Sequence, residues 1–200
     1  MEDQEHIFDV IYVGKDTRRI SEDKARFLKQ DITEVINNPN AWIYKSKELK
    51  ESADTLLDSI LLENKRVRII ASLNPGKVMV SKSNYSTYYL LISFAIENIL
   101  KGIYVLNNNF KLDNDYRIRP RLGHNLLSIS NNLYINLSLE EEQILNKLTH
   151  YLIWEGRYPT PMNAMDFQYT FETLLDQDIE RINEIYKKLC SVFEEGSNIT

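Results

Sequence analysis

Apolar residues recur along most of this chain as one-sided helical stripes, and in a single stretch they close round the whole helix. From Tyr85 to Leu106 the sequence YSTYYLLISFAIENILKGIYVL is apolar on nearly every face, broken by Glu97, Asn98 and Lys101. A helix that is hydrophobic all round is buried, either in a bilayer or at the centre of a bundle. A glutamate, an asparagine and a lysine near the middle of the run would each be costly at bilayer depth, which favours the bundle. Glu97 and Lys101 stand at i and i+4 with the acid on the N-terminal side, the better orientation for a pair on one helical face.

The flanking stretches read as amphipathic helices. Ser21-Glu22-Asp23 looks like a helix start, and Ala25, Leu28, Ile32, Val35 and Ile36 recur at helical spacing until NNPN interrupts at Asn37 to Asn40. Trp42 and Tyr44 lead into a second helix expected near Ser46, with Leu49, Ala53, Leu56, Leu57 and Ile60 on one stripe that extends through Val67 and Ile70 to Leu73. Asn74-Pro75-Gly76 stops it. Lys77 to Ser83 is a connection with a β-like Val78-Met79-Val80. After the central helix, Phe110 to Gly123 is polar, interrupted by Pro120, and reads as a loop or short turns. A short helix is expected from His124 to about Asn131. Ser138 and Glu141 form a capping box, and Leu139, Ile144, Leu145, Leu148, Tyr151 and Leu152 supply a face as far as Trp154. Gly156 is a natural C-cap, and Pro159 and Pro161 enforce an extended link. A final helix is capped by Asn163 and carries Phe167, Phe171, Leu174, Leu175, Ile179, Ile182, Ile185, Tyr186 and Leu189, fraying from about Glu194. Phe8 to Val13 is a short strand or an extended arm.

Composition narrows the picture. Two hundred residues with 43% hydrophobic content can bury one sizeable core, so the expectation is an all-α bundle over 41–195 behind an N-terminal extension, 1–40. A net charge of -5 excludes coating of nucleic acid through general electrostatics and leaves room for local basic clusters. Cys190 is the only cysteine, which rules out an intrachain disulfide and a CxxC metal site. The start, MEDQEHIFDVIYVG, lacks the basic region and apolar length of a signal peptide, and a cytoplasmic protein is expected. No GxxxxGK[ST], GxGxxG or GxSxG occurs, so phosphate-loop NTPase, dinucleotide-binding and α/β-hydrolase chemistries lack their minimum residues.

Three motifs in order carry a resemblance: Ala95-Ile96-Glu97-Asn98-Ile99-Leu100-Lys101-Gly102, then Gly123-His124-Asn125-Leu126, then Trp154-Glu155-Gly156-Arg157-Tyr158-Pro159. Together they resemble the HEPN domain superfamily over roughly residues 85 to 161. The resemblance implies a helical bundle, often a homodimer, among prokaryotic toxin/antitoxin, abortive-infection and RNA-processing proteins. In many members it implies a metal-independent endoribonuclease whose R-x(4-6)-H motif comes together across a dimer interface. Here Arg119 and Arg117 both lie at that spacing from His124. Histidine transfers protons near neutral pH and arginine holds the scissile phosphate. Pro120 follows Arg119 and Ile118 follows Arg117, where members commonly place a polar residue after the arginine.

Glu97, Lys101 and Arg157 admit two readings. A buried carboxylate is expensive unless paired, and Lys101 leaves Glu97 spare acceptor capacity that Arg157 would fill, locking the central helix to the Trp154 to Pro159 turn. Alternatively Lys101, Arg157 and His124 bind a nucleotide phosphate and Tyr158 stacks on its base. His6 and His150 form no metal spacing with nearby acids, and neither metal nor cofactor is expected. The Glu140-Glu141-Glu142 run suits a helix N-terminus, and Lys65, Arg66 and Arg68 are either a solvated helix face or an RNA contact. Three functions therefore stand: an RNA- or nucleotide-binding module, an active ribonuclease toxin, and a structural interaction protein docking a partner such as an antitoxin.

Overall fold

A computed structural model describes residues 22–64, 69–71, 78–80, 85–115, 117–157 and 176–198, and shows an all-α helical bundle. Its helices are α1 (Glu22–Ile36), α2 (Pro39–Asn64), α3 (Tyr85–Asn107), α4 (Leu126–Asn132), α5 (Leu139–His150) and α6 (Asp176–Ser197), with a π-helical turn at Tyr151–Glu155. Two small antiparallel hairpins interrupt them. One pairs β1 (Ile69–Ala71) with β2 (Val78–Val80), and the other pairs β3 (Lys111–Leu112) with β4 (Ile118–Arg119).

The central helix is α3, long and apolar enough to cross a membrane by composition, but covered by α2, α6 and α5. Ile92, Ile96, Ile99 and Leu100 are fully buried, and each such side chain contributes about 1.5–3 kcal/mol of burial free energy. Small residues let the neighbours approach. Ala53 and Ala95 are fully buried, and a Cβ on Gly102 would lie 3.2 Å from Trp42 Cβ and 3.3 Å from the Phe193 ring. Ser46 Oγ donates to Ala95 O at 2.7 Å, which commits its one proton, so Tyr186 Oη, 3.1 Å away, donates to it. One buried hydroxyl thus ties α2, α3 and α6 together.

Several expectations are corrected. The second helix begins at Pro39, not near Ser46: Asn38 Oδ1 accepts from Asn40 N at 3.0 Å, and proline suits the first helical position because its missing N–H is an orphan there anyway. Its stripe does not run on to Leu73, because α2 ends at Asn64 and Ile69–Ala71 pairs as a strand; short apolar runs fit either period. In α1 only Ile36 of the described stripe is buried, and Ile32 and Val35 are exposed. Phe110 to Gly123 contains a hairpin. Gly156 has no left-handed φ, so it is not an αL cap; its N–H bonds Tyr151 O at 3.0 Å, and a Cβ there would meet Leu90 Cβ at 2.7 Å. Glu194 lies within α6, which continues to Ser197. Phe8 to Val13, Lys65, Arg66, Arg68, Asn74 to Gly76, Tyr158 to Pro161 and the expected helix start at Asn163 lie outside the described residues.

Candidate phosphate-binding site

Two groups of polar side chains make up the candidate site: Glu97 and Lys101 of α3 with His124 at the start of α4, and the second hairpin, which packs against α1. Glu97 is buried on α3, its side chain 4% exposed. Lys101, one turn on, donates to Glu97 Oε1 at 2.5 Å, and His124 Nδ1 lies 2.9 Å from the same oxygen. A carboxylate already held by an ammonium acts as an acceptor, which puts a proton on His124 Nδ1. The His124 side chain is 59% exposed, so the ring is anchored at one nitrogen and open to solvent around the other. Lys101 Nζ also lies 5.8 Å from the Trp42 ring centroid, a cation–π distance.

Local sequence fixes where the imidazole sits. Gly123 adopts φ +73, the left-handed region that glycine enters without a Cβ penalty. Asn125 is the N-cap of α4, its Oδ1 accepting from Ser128 N at 2.8 Å, and Leu126 N donates to Thr149 Oγ1 of α5 at 3.1 Å. His124 is therefore held between a glycine turn and a helix cap, and the cap is its neighbour Asn125 rather than His124 itself.

The hairpin carries three cations, Lys111, Arg117 and Arg119, with two acids between them: Asp115 lies 3.9 Å from Arg117 and Asp113 2.9 Å from Arg119. Lys111 pairs directly with Arg119 and Leu112 with Ile118, so Leu112 packs inward on a small apolar cluster while Lys111 and Arg119 share the exposed face. Asp113 organises the turn: Oδ1 accepts from the N–H groups of Asp115 and Arg117, both at 2.9 Å, and Oδ2 accepts from Arg119 Nε at 2.9 Å. The Arg117 backbone N–H first, then the Arg119 guanidinium and the Asp115 N–H, hold the Asp113 carboxyl below the usual carboxylate range. Arg117, Arg119 and Arg121 are all exposed.

Of the expected residues, the structure brings Glu97, Lys101 and His124 together. Arg119 and His124 are held on different carboxylates, Asp113 and Glu97. Arg157 is not the second partner of Glu97: its Nη2 donates to Ile153 O at 2.5 Å, one turn back, and His124 takes the place expected for it. Tyr158 lies outside the described residues. His150 ends α5 and is exposed. Among the described residues no group of three or more His, Cys, Asp or Glu side chains is placed to hold a metal ion. The Asn125 cap was findable from an Asn directly before an apolar helical run. The Glu97 to His124 contact spans 27 positions and has no local signal.

Comparisons with protein-family models, with curated proteins and with solved structures find no match for this chain.

Proposed function

We propose that this protein is an RNA-binding helical bundle that grips the phosphate backbone with the Lys111–Arg119 hairpin and His124. The observation that carries this is the cross-strand register placing Lys111 directly opposite Arg119 on an exposed face. Like charges in opposite register repel across a hairpin; Asp113 relieves part of this through Arg119, and an anionic backbone lying across the pair would relieve the rest. Arg117 and Arg121 extend the positive surface, and the net-negative remainder of the molecule confines the contact to this patch. RNA, and a place in prokaryotic stress or defence, follow from the HEPN resemblance. Lys101 supports this site indirectly, through Glu97, rather than as a phosphate ligand.

A second reading, metal-independent RNA cleavage, draws on the Glu97–His124 pair. A carboxylate that accepts from Nδ1–H leaves Nε2 of the neutral ring ready to accept a proton from an attacking hydroxyl. With Arg119 turned to Asp113, the arginine and histidine of one cut would come from two subunits of a homodimer.

Fluorescence anisotropy with a labelled single-stranded RNA tests both. Wild type should bind at low salt, with affinity falling as salt rises, and Lys111→Ala/Arg119→Ala should weaken binding by about tenfold or more. Equal affinity in that variant overturns the assignment. In EDTA, cleavage that His124→Ala abolishes even at protein concentrations that saturate the RNA establishes the catalytic reading, and intact RNA with wild type removes it.

A further inference from the structure

The basic hairpin is too small to hold its own place. With two residues in each strand and its charged face in solvent, it depends on its root, since an isolated two-stranded hairpin is at best marginal. We infer that Asn37, at the turn between α1 and α2, is the positioning residue that sets the hairpin relative to His124, and that α1 thereby belongs to the binding machinery. This rests on the RNA-binding reading of the hairpin.

Asn37 clamps the residue immediately before β3 from both sides. Its Nδ2 donates to Phe110 O at 2.9 Å, and its Oδ1 accepts from Phe110 N at 2.7 Å. A carboxamide supplies one planar donor and one acceptor for this, whereas aspartate keeps only the acceptor and alanine neither. The same Nδ2 lies 3.0 Å from Thr33 O, joining the clamp to the last turn of α1. The Phe110 side chain is buried with Ile36 and Val105, 5.0 Å from the Tyr104 ring and 6.0 Å from the Trp42 ring. Trp42 Nε1 donates to Ile36 O at 2.8 Å.

Trp42 connects the two halves of the site. On one side it meets Phe110 at the hairpin root, and on the other its ring lies beside the Lys101 ammonium that holds Glu97, the carboxylate anchoring His124. Leu122, between the hairpin and His124, packs against both this cluster and the main core. The joint of Asn37, Phe110 and Trp42 thus fixes the spacing between the hairpin cations and the imidazole. A shift at Phe110 carries β3 with it and, through their register, β4.

Amide hydrogen exchange and RNA anisotropy on the full chain test this with Asn37→Ala, Asn37→Asp and Lys111→Ala/Arg119→Ala. Asn37→Ala should raise exchange over 111–119 by about tenfold while leaving α3 protected, and should weaken RNA binding comparably. Asn37→Asp keeps the acceptor for Phe110 N but sets a carboxylate oxygen against the Phe110 and Thr33 carbonyls, so it should loosen the hairpin too, and it serves if the alanine variant does not fold. Unchanged hairpin exchange in both Asn37 variants overturns the positioning role. So does a loosened hairpin that binds RNA as wild type does while Lys111→Ala/Arg119→Ala weakens it. If Lys111→Ala/Arg119→Ala itself binds normally, the RNA reading has failed, and the exchange data alone decide the role of Asn37.

Discussion

Glu97 concentrates the energetic stakes of the molecule in one side chain. Its carboxylate is buried and makes two polar contacts at a single oxygen, one from an ammonium that is 20% exposed and one from an imidazole that is mostly in solvent. Truncating one member of a buried pair leaves the other uncompensated, so Glu97→Gln should lower unfolding free energy by about 3 kcal/mol, the partial exposure of Lys101 keeping it at the low end. His124→Ala should cost far less, because solvent already screens that contact. Urea denaturation of the two variants checks both, and a Glu97→Gln protein as stable as wild type would remove the lock. The Glu97/Lys101 half of this cluster was legible from an i,i+4 spacing inside an apolar run. The other half was not, because the need for a second partner does not say which distant residue the fold delivers. Arg157 satisfied the chemistry, and the cap-and-glycine turn around His124 satisfied the geometry.

Helix ends follow local chemistry where a motif is complete, and depart from it where packing decides. At α5 the capping box forms as its spacing requires: Ser138 Oγ accepts from Glu141 N at 3.3 Å and Glu141 Oε2 from Ser138 N at 2.7 Å. By contrast, α2 starts a full two turns before Ser46, and Ile32 and Val35 of the α1 stripe lie in solvent, since periodicity marks a face without naming what covers it. The π-helical turn after His150 has no sequence signature. The α5 cap also reaches across to α6, where Lys188 Nζ donates to Glu141 Oε2 at 2.8 Å. Burial pushes the Glu141 carboxyl up, but Lys188 and the Ser138 N–H outweigh it, and the group sits below the usual glutamate range. A carboxyl with a lowered folded pKa adds stability above its unfolded pKa and loses it as pH falls through the folded one. Glu141→Gln should therefore destabilise the protein at about pH 7, and the gap from wild type should narrow as pH falls below the usual glutamate range and Glu141 itself protonates. A gap that stays constant through that fall would show that the ionised cap contributes nothing.

At the scale of the whole molecule the bundle is organised by what surrounds α3, and there the sequence pattern was most informative: an apolar run interrupted by an i,i+4 ion pair defines a buried helix in a protein core. The same pattern does not reveal how well each buried polar atom is satisfied. Tyr88 is fully buried near the junction of α2, α3 and α6, and its hydroxyl has no hydrogen-bond partner. Burial, with repulsion from the carboxylates of Asp54 in α2 and Asp178 in α6, pushes its phenol well above the ordinary tyrosine range. Its neighbour Tyr89 has the contrasting arrangement, donating to Asp178 Oδ2 at 3.1 Å while its ring stacks on Tyr151 at 4.4 Å. An unmade buried hydrogen bond costs about 1–3 kcal/mol, whereas the ring contributes its apolar area with or without the oxygen. Tyr88→Phe should therefore stabilise the bundle by about 1 kcal/mol, raising its melting temperature by about 2–4 °C for a domain of this size. Tyr89→Phe should lower stability, because it strips Asp178 of a donor. Thermal melts of the two variants beside wild type decide the matter: a Tyr88→Phe protein that melts below wild type would mean that this hydroxyl is satisfied after all, and that the junction of the three helices carries a polar contact on which the fold depends.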